Sequence, residues 1–172
     1  MNYIKNINLK TNDLYNIIIE IPKGTSNKYE LTAPANEKIE CVRKVKGKYP
    51  FYYGCFPQTH AQDNDPLDMI LLTNKKRNIL DVVEALPIGV IKTIDDGEQD
   101  DKVLMVDYYE VLPNINKMKK QAIKFLKKYK GRKSKMILDT KIYDANTAID
   151  IINDCHNTYK NLFTKSNVKI RF

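Results

Sequence analysis

The chain has 172 residues, 42% of them apolar and 29% charged. That length suits a single domain spanning 1–172 and buries enough surface to need no disulfide or metal staple. The longest apolar runs, Ile17 to Ile19 and Met69 to Leu72, are far too short for a membrane span, and the N-terminus lacks the apolar stretch of a secretory signal. Cys41, Cys55 and Cys155 form an odd count without metal-ligand spacing, so free thiols in a reducing cytoplasm are the simplest reading. These features argue against secreted, membrane-spanning, collagenous and disordered classes.

The net charge of +8 is unevenly spread. Residues 1–113 hold 14 basic and 17 acidic side chains, a net of −3, whereas residues 114–172 hold 15 and 4, a net of +11. Acidic residues gather between Asp63 and Asp101. A uniformly basic protein would point to nucleic acid. An acidic cluster in a basic frame points instead to divalent cations together with an anionic ligand. For most of the lysines a solvated helix face is sufficient explanation.

In chain order, the β-branched run Leu14 to Ile21, closed by Pro22, predicts a strand, and Lys23 to Asn27 a turn. Short strands are expected at Lys28–Leu31 and Ile39–Val45. Tyr49 to Gln58, rich in aromatics with Pro and Gly, suits a structured loop. Met69–Thr73 predicts a buried strand and Asn74–Asn78 a turn. Ile79–Ile94 predicts one or two strands broken at Pro87 and Gly89, and Lys102–Tyr108 another. Ile115, Met118, Ala122, Phe125, Leu126 and Tyr129 have helical spacing. A strand at Lys135–Ile142 precedes a second helix, N-capped by Asp144, whose face carries Ala148, Ile151, Ile152, Cys155, Tyr159 and Leu162. Nothing is assigned to Thr164–Phe172. Strands followed by helices predict an α+β fold, a twisted sheet or small barrel with packed helices. No glycine-rich phosphate loop is present.

The sharpest motif is Asp63-Asn64-Asp65-Pro66-Leu67-Asp68. Three carboxylates within six residues repel one another unless a cation or solvent screens them, and Pro66 stiffens the loop. Hard divalent cations such as Mg²⁺ take such oxygen ligands. A calcium helix-loop-helix fails on spacing: with Asp63 first, position 6 is Asp68 instead of Gly and position 12 is Asn74 instead of Glu. An exposed acidic turn is the plainer alternative. A second acidic stretch, Asp95 to Asp101, is followed by Lys102. Two such loops at strand ends can converge on a two-metal site for phosphoryl chemistry. A solvated hairpin loop accounts equally for Asp96, Glu98 and Asp101.

Tyrosines around Tyr49-Pro50-Phe51-Tyr52-Tyr53-Gly54 can donate to phosphate oxygens, although buried packing suffices for Phe51 and Tyr52. Arg43 offers bidentate anion contacts and Lys28 a point charge, or both are ordinary surface residues. Tyr129-Lys130 ends the first helix, where a basic side chain also favours the helix C-terminus. His60 and His156 have no partner at ligand spacing and are read as non-functional.

Taken together, these elements resemble the family I soluble inorganic pyrophosphatases. The resemblance covers Leu14 to Ile142. It rests on Ile19-Glu20-Ile21-Pro22, Lys28-Tyr29-Glu30, Arg43, Tyr49-Pro50, Tyr53-Gly54, the D-N-D-P-L-D signature at 63–68, Pro87-Ile88-Gly89-Val90, Asp95 to Lys102 and Tyr129-Lys130. It implies a small five-stranded barrel of oligonucleotide-binding type with flanking helices. It also implies Mg²⁺-dependent hydrolysis of pyrophosphate to two orthophosphates, with three or four ions per site. By position, Asp63, Asp68 and Asp100 would hold a first metal, Asp68 being shared with a second. Asp95 and Asp100 would serve a third, and Glu20 a further one largely through water. Asp65 would accept the proton of the attacking water. Lys28, Arg43, Tyr53, Lys102, Tyr129 and Lys130 would hold the phosphates, with Glu30 and Tyr49 in support. Asp96 stands where the family commonly has Glu and is left out of the site. The compact length resembles members that form hexamers, in contrast to dimeric longer ones, and no nucleic-acid or membrane partner is expected. Three rivals remain: a nucleic-acid-binding barrel, a catalytically dead metal-binding assembly protein, and a phosphatase acting on organic phosphates.

Overall fold

The computed structural model of the chain describes residues 1–32, 38–129 and 136–168. In chain order the elements are α1 (Tyr3–Asn6), β1 (Lys10–Thr11), β2 (Leu14–Ile21), β3 (Asn27–Thr32), β4 (Lys38–Lys44), β5 (Tyr52–Cys55), β6 (Asp68–Leu72), β7 (Val82–Asp95), β8 (Glu98–Gln99), β9 (Lys102–Asp107), α2 (Ile115–Leu126), β10 (Ile137–Tyr143) and α3 (Ala145–Val168). Five strands close on themselves: β2 pairs with β5, β5 with β6, β6 with β9, β9 with β7, and β7 returns to β2. This is the five-stranded barrel expected from the resemblance. Only the β6–β9 pairing in that circuit is parallel. Closure leaves these five strands without a free edge. β1 flanks β2, β8 and β10 flank β7, and β3–β4 form a separate hairpin.

The sequence builds this closure through residues that tolerate burial on both sides. Ile17, Ile18 and Ile19 of β2 are all fully buried, as a continuous apolar run requires when both strand faces are covered. Tyr15, Ile17 and Ile19 share one packed cluster with Met69, Leu71, Val83, Ala85, Val103 and Met105, and α3 seats Ala148 and Ile152 against it. The alternate face carries Ile21, Tyr53, Ile70, Ile91 and Leu104 and receives Met118, Ala122 and Leu126 of α2. The α3 N-terminus is capped as expected, Thr147 N donating to Asp144 Oδ1 at 2.9 Å. Further along α3, His60 N donates to Cys155 O at 3.0 Å, and His156 Nδ1 lies 2.6 Å from Gln58 O. The last helix is therefore tied to the segment that enters the acidic loop.

Two expectations need correction. Tyr52–Cys55 is a barrel strand instead of a loop. Gly54 makes it possible: a Cβ there would lie 1.9 Å from Ile18 O and 3.0 Å from Glu20 N, so only glycine lets β5 approach β2 this closely. Pro87 and Gly89 do not break β7, which runs for 14 residues and absorbs them in a register shift. At Gly89, φ is +151° and a Cβ would meet Tyr143 O at 2.5 Å, so glycine both bends the strand and admits β10. The short helix α1 was not anticipated, and α3 continues to Val168, into the segment left unassigned.

Candidate active site

The parallel pairing of β6 and β9 decides where the chemistry-bearing residues meet. The loop at 63–68 leads into β6, and the stretch from Asp95 to Asp101 leads into β9. Parallel strands begin at the same end of a sheet, so both acidic segments arrive at one end of the barrel. Register then sets a row across three strands: Cys55 faces Asp68 on β5–β6, and Asp68 faces Lys102 on β6–β9.

A cavity of about 270 Å³ opens there. Its walls include Glu20 from β2, Lys28 and Glu30 from β3, Tyr53 and Cys55 from β5, Asp63, Asp65 and Asp68 from the first acidic loop, Asp95, Asp96, Glu98 and Asp100 from the second, and Tyr129 beyond α2. Nine carboxylates thus face one space, and among the described lining residues the one cation is Lys28, itself paired with Glu30.

Each carboxylate is held by its own local structure. Asp65 N donates to Asp63 Oδ1 at 3.1 Å, and Ala61 N to Asp65 O at 2.8 Å, closing a tight turn in which Asn64 takes a positive φ of 67°. Leu67 N donates to the buried Thr59 hydroxyl, fixing the loop's exit. Asp68 Oδ2 accepts from the Tyr53 hydroxyl and from Lys102 Nζ, the latter at 2.5 Å. Lys102 also pairs with Asp100. Glu20 Oε1 accepts from Leu31 N at 2.9 Å, pinning the β3–β4 hairpin to β2.

The electrostatics reflect crowded negative charge. Burial pushes the Glu20 carboxyl up to about 8, the Leu31 amide opposing and Asp68 and Glu30 adding to the shift. Burial also raises Asp100 to about 7, with Lys102 opposing and Asp68 and Asp63 reinforcing. Asp65, more exposed than these, is raised by desolvation at the cavity wall and by Asp63, Glu30 and Asp68. Burial works in the same direction on Asp68, but its charge-assisted bonds with Lys102 and the Tyr53 hydroxyl hold it below the usual carboxylate range. Burial raises Tyr129 to about 12 and Tyr53 well above the ordinary phenol range.

The other expected site residues lie at the cavity's margin. Lys102 is fully buried beneath Asp68 and Asp100 and is not among the lining residues. Arg43 sits across the hairpin from Lys28, with its guanidinium carbon 5.7 Å from the Tyr129 ring centroid. Tyr49 packs among Phe125, Tyr53 and Tyr129, its ring centroid 4.7 Å from that of Phe125, and so buttresses two rings that border the cavity. Lys130 falls outside the described residues. Sequence reasoning missed Asp96, Glu98, Cys55 and Tyr29 as lining residues. The signal for Asp96 was its Asp-Gly pair, a tight-turn dipeptide: Asp96 and Gly97 both have positive φ and join β7 to β8. Asp101 is buried, contrary to the solvated-loop reading, and accepts from Thr93 N at 3.1 Å and Gln99 Nε2 at 2.6 Å.

Oxygen donors in this number fit a hard divalent cation. Among the described residues no three carboxylates already converge as finished ligands for one ion. The reason is visible in the ion pairs, since Lys102 engages both Asp68 and Asp100. Glu20, Asp65 and Asp100, whose charge is incompletely compensated, mark where added positive charge would be most favourable.

A closed barrel whose carboxylate-lined mouth also carries Lys28, Tyr53 and Tyr129 fits a hydrolase acting on a small anion. Comparison with known proteins makes the class specific. The model of the inorganic pyrophosphatase family matches residues 17–160. The inorganic pyrophosphatase of Synechocystis sp. is 31% identical over 156 residues, covering 86% of this chain and 92% of that protein. The soluble inorganic pyrophosphatase of Hordeum vulgare is 32% identical over 146 residues, covering 81% of this chain and 68% of that protein. The crystal structure of the Thermus thermophilus inorganic pyrophosphatase superposes with a TM-score of 0.83 at 26% identity, covering 93% of this chain and 99% of that one. The chain belongs to the inorganic pyrophosphatase family, hydrolases that split pyrophosphate into two orthophosphates.

Proposed function

We propose that this chain hydrolyses inorganic pyrophosphate with Mg²⁺ as its cofactor, three or four ions per site, within a single catalytic domain spanning 1–172. The observation that carries the reading is the set of nine carboxylates facing one cavity with Lys28 beside them. Pyrophosphate has no apolar handle, so recognition and catalysis both depend on charge neutralisation and in-line alignment. Asp63, Asp68 and Asp100 would hold a first ion, Asp68 a second as well, Asp95 and Asp100 a third, and Glu20 a further one. Bound there, Mg²⁺ would make a water acidic enough to attack near neutral pH and offset charge on the phosphates.

The chain's own groups do the rest. Asp65, on the first acidic loop and raised above the usual carboxylate range, takes the proton of the attacking water. Lys28, Arg43, Tyr53, Lys102, Tyr129 and Lys130 hold the two phosphates, the lysines as point charges and Arg43 through paired hydrogen bonds. Tyr53 and Tyr129 remain protonated at neutral pH, as donors to phosphate oxygens must be. Glu30 steadies Lys28, and Tyr49 supports the Tyr53 and Tyr129 rings.

The test is phosphate release by purified protein, with pyrophosphate against ATP, each with and without Mg²⁺. Release from pyrophosphate that requires Mg²⁺ supports the reading; equal release from ATP moves it to a broader phosphatase. We further infer a cytoplasmic homo-oligomer, a hexamer in preference to a dimer. The supports are the three free cysteines and a compact length like that of hexameric members. Among the described residues no helix is long and apolar enough to cross a membrane, and we infer neither a membrane nor a nucleic-acid partner. Sedimentation equilibrium decides the subunit number.

A further inference from the structure

The second acidic segment interrupts a sheet ladder at the residue that faces the cavity. Ile91 faces Lys102 and Ile94 faces Gln99 across the β7 hairpin, so the register runs on unchanged and sets Thr93 opposite Asp100. Yet β8 ends at Gln99 and β9 begins only at Lys102. A hydrogen-bonded pair in an antiparallel ladder exchanges two backbone bonds. One is made here, Asp100 N donating to Thr93 O at 2.9 Å. The other is replaced. Thr93 N donates to Asp101 Oδ1 at 3.1 Å, and Asp100 O accepts from the Thr93 hydroxyl. A carboxylate thus stands in for a backbone carbonyl, and a hydroxyl for a backbone amide.

Both substitutes are enclosed, Asp101 being 4% exposed and Thr93 1%. Asp100 lines the cavity and pairs with Lys102, whereas Asp101 is not among the lining residues. The two bonds that Asp101 accepts come from uncharged donors, Thr93 N and Gln99 Nε2. Among the described residues no ion pair includes it. Burying a tenth carboxylate beside nine others is unfavourable in itself, and an apolar residue would close the hairpin without that burden. What the carboxylate supplies is direction. It draws the Thr93 amide away from Asp100 O and leaves that oxygen to the Thr93 hydroxyl, which fixes the peptide carrying the Asp100 side chain.

We propose that Asp101 is a positioning residue, acting through Thr93 to set the Asp100 carboxylate for the divalent ions of the cavity. The inference rests on the pyrophosphatase reading and adds a residue that touches neither ion nor substrate. With alanine at 101, the Thr93 amide would turn to Asp100 O, because a buried N–H without a partner is unfavourable. The regular ladder would then form, the hydroxyl would be displaced, and the Asp100 carboxylate would swing from its place while the barrel persists.

The test compares Asp101→Ala and Asp101→Asn with the unaltered chain by titration calorimetry with Mg²⁺, the fold being checked by urea denaturation. Asp101→Ala should weaken Mg²⁺ binding by about tenfold or more, the usual effect of losing a group that orients a ligand. The Mg²⁺ concentration for half-maximal phosphate release should rise by the same factor. Asp101→Asn keeps an oxygen for Thr93 N, and the Gln99 amide can turn to accept from the new one, so affinity should stay within about threefold. An asparagine as damaging as alanine would overturn the proposal in favour of a charge effect, and Mg²⁺ binding undiminished in Asp101→Ala would overturn it outright. Should Asp101→Ala fail to fold, Thr93→Val and Thr93→Ser decide: the loss should appear with valine and be restored by serine, and equal affinity in both would overturn the proposal. If the unaltered chain binds Mg²⁺ but releases no phosphate from pyrophosphate, the pyrophosphatase reading fails while the calorimetry still judges the positioning.

Discussion

Lys102 Nζ stands 2.5 Å from Asp68 Oδ2 because the parallel β6–β9 ladder places those two residues side by side. With Asp100 as its second partner, this buried ammonium occupies the negative potential in which a metal ion would sit. A unit charge at about 4 Å contributes about 4 kcal/mol at an effective dielectric near 20, most of it offset by desolvation. Lys102→Met should therefore tighten Mg²⁺ binding to the substrate-free protein by about tenfold at pH 8.5, while turnover falls with the loss of the phosphate contact proposed for it. Titration calorimetry reads the first effect. Unchanged or weaker Mg²⁺ binding would show that the lysine does not compete with the metal.

Asp65 belongs to the loop, and among the described residues no lysine or arginine is bonded to its carboxylate, which suits a proton acceptor better than a tightly paired ligand. Asp65→Asn keeps its size and turn position and removes its basicity. Turnover should drop about 10²- to 10⁴-fold, with thermal stability nearly unchanged. A variant that retained full turnover with an intact fold would remove Asp65 from the mechanism.

The raised carboxyls make stability depend on pH. Glu20 goes from 4.5 to about 8, and Asp100 from 3.8 to about 7. Between these limits the folded protein holds protons that the unfolded chain has released, so the stability they contribute is full below about pH 4 and lost as pH rises through 7 to 8. Asp68, held low, acts oppositely, but only below its unfolded value of 3.8. Metal-free protein should show a falling urea midpoint from about pH 5 to pH 8.5. Saturating Mg²⁺, which binds the ionised carboxylates, should flatten that slope. A flat metal-free profile would contradict the burial of these two groups.

Gly54 lets β5 lie against β2 where a side chain would collide with the backbone. Gly54→Ala drives a methyl into Ile18 O and Glu20 N and can be relieved only by parting β2 from β5. A loss of about 3 kcal/mol is expected, at the upper end for overpacking, with Glu20 displaced. Urea denaturation measures the loss, and an unchanged midpoint would mean the two strands separate freely.

The legible features were those whose cause is local. The β-branched run of β2, the lysine-free inner face of α2, the Asp144 cap and the first acidic loop depend on residues near one another in sequence. What escaped depended on partners far along the chain. Tyr52–Cys55 looked like a loop because aromatics, Pro and Gly signal turns, and only the approach of Ile18 and Glu20 explains the glycine. Pro87 was read as a break because a bulge becomes visible only with its partner strand present. The burial of Lys102 followed from cross-strand register, which no spacing within 95–102 reveals. Asp101 looked like another surface acid until Thr93 and Gln99 came round the hairpin to meet it.

The bonds from Cys155 and His156 to His60 and Gln58 make the final helix a splint for the first acidic loop. The barrel circuit itself contains no residue of that helix. Because Ala148 and Ile152 also fill the barrel core, one helix carries both jobs. Damage there would loosen the container and the loop together, a fault visible to a melting curve as well as to a metal titration.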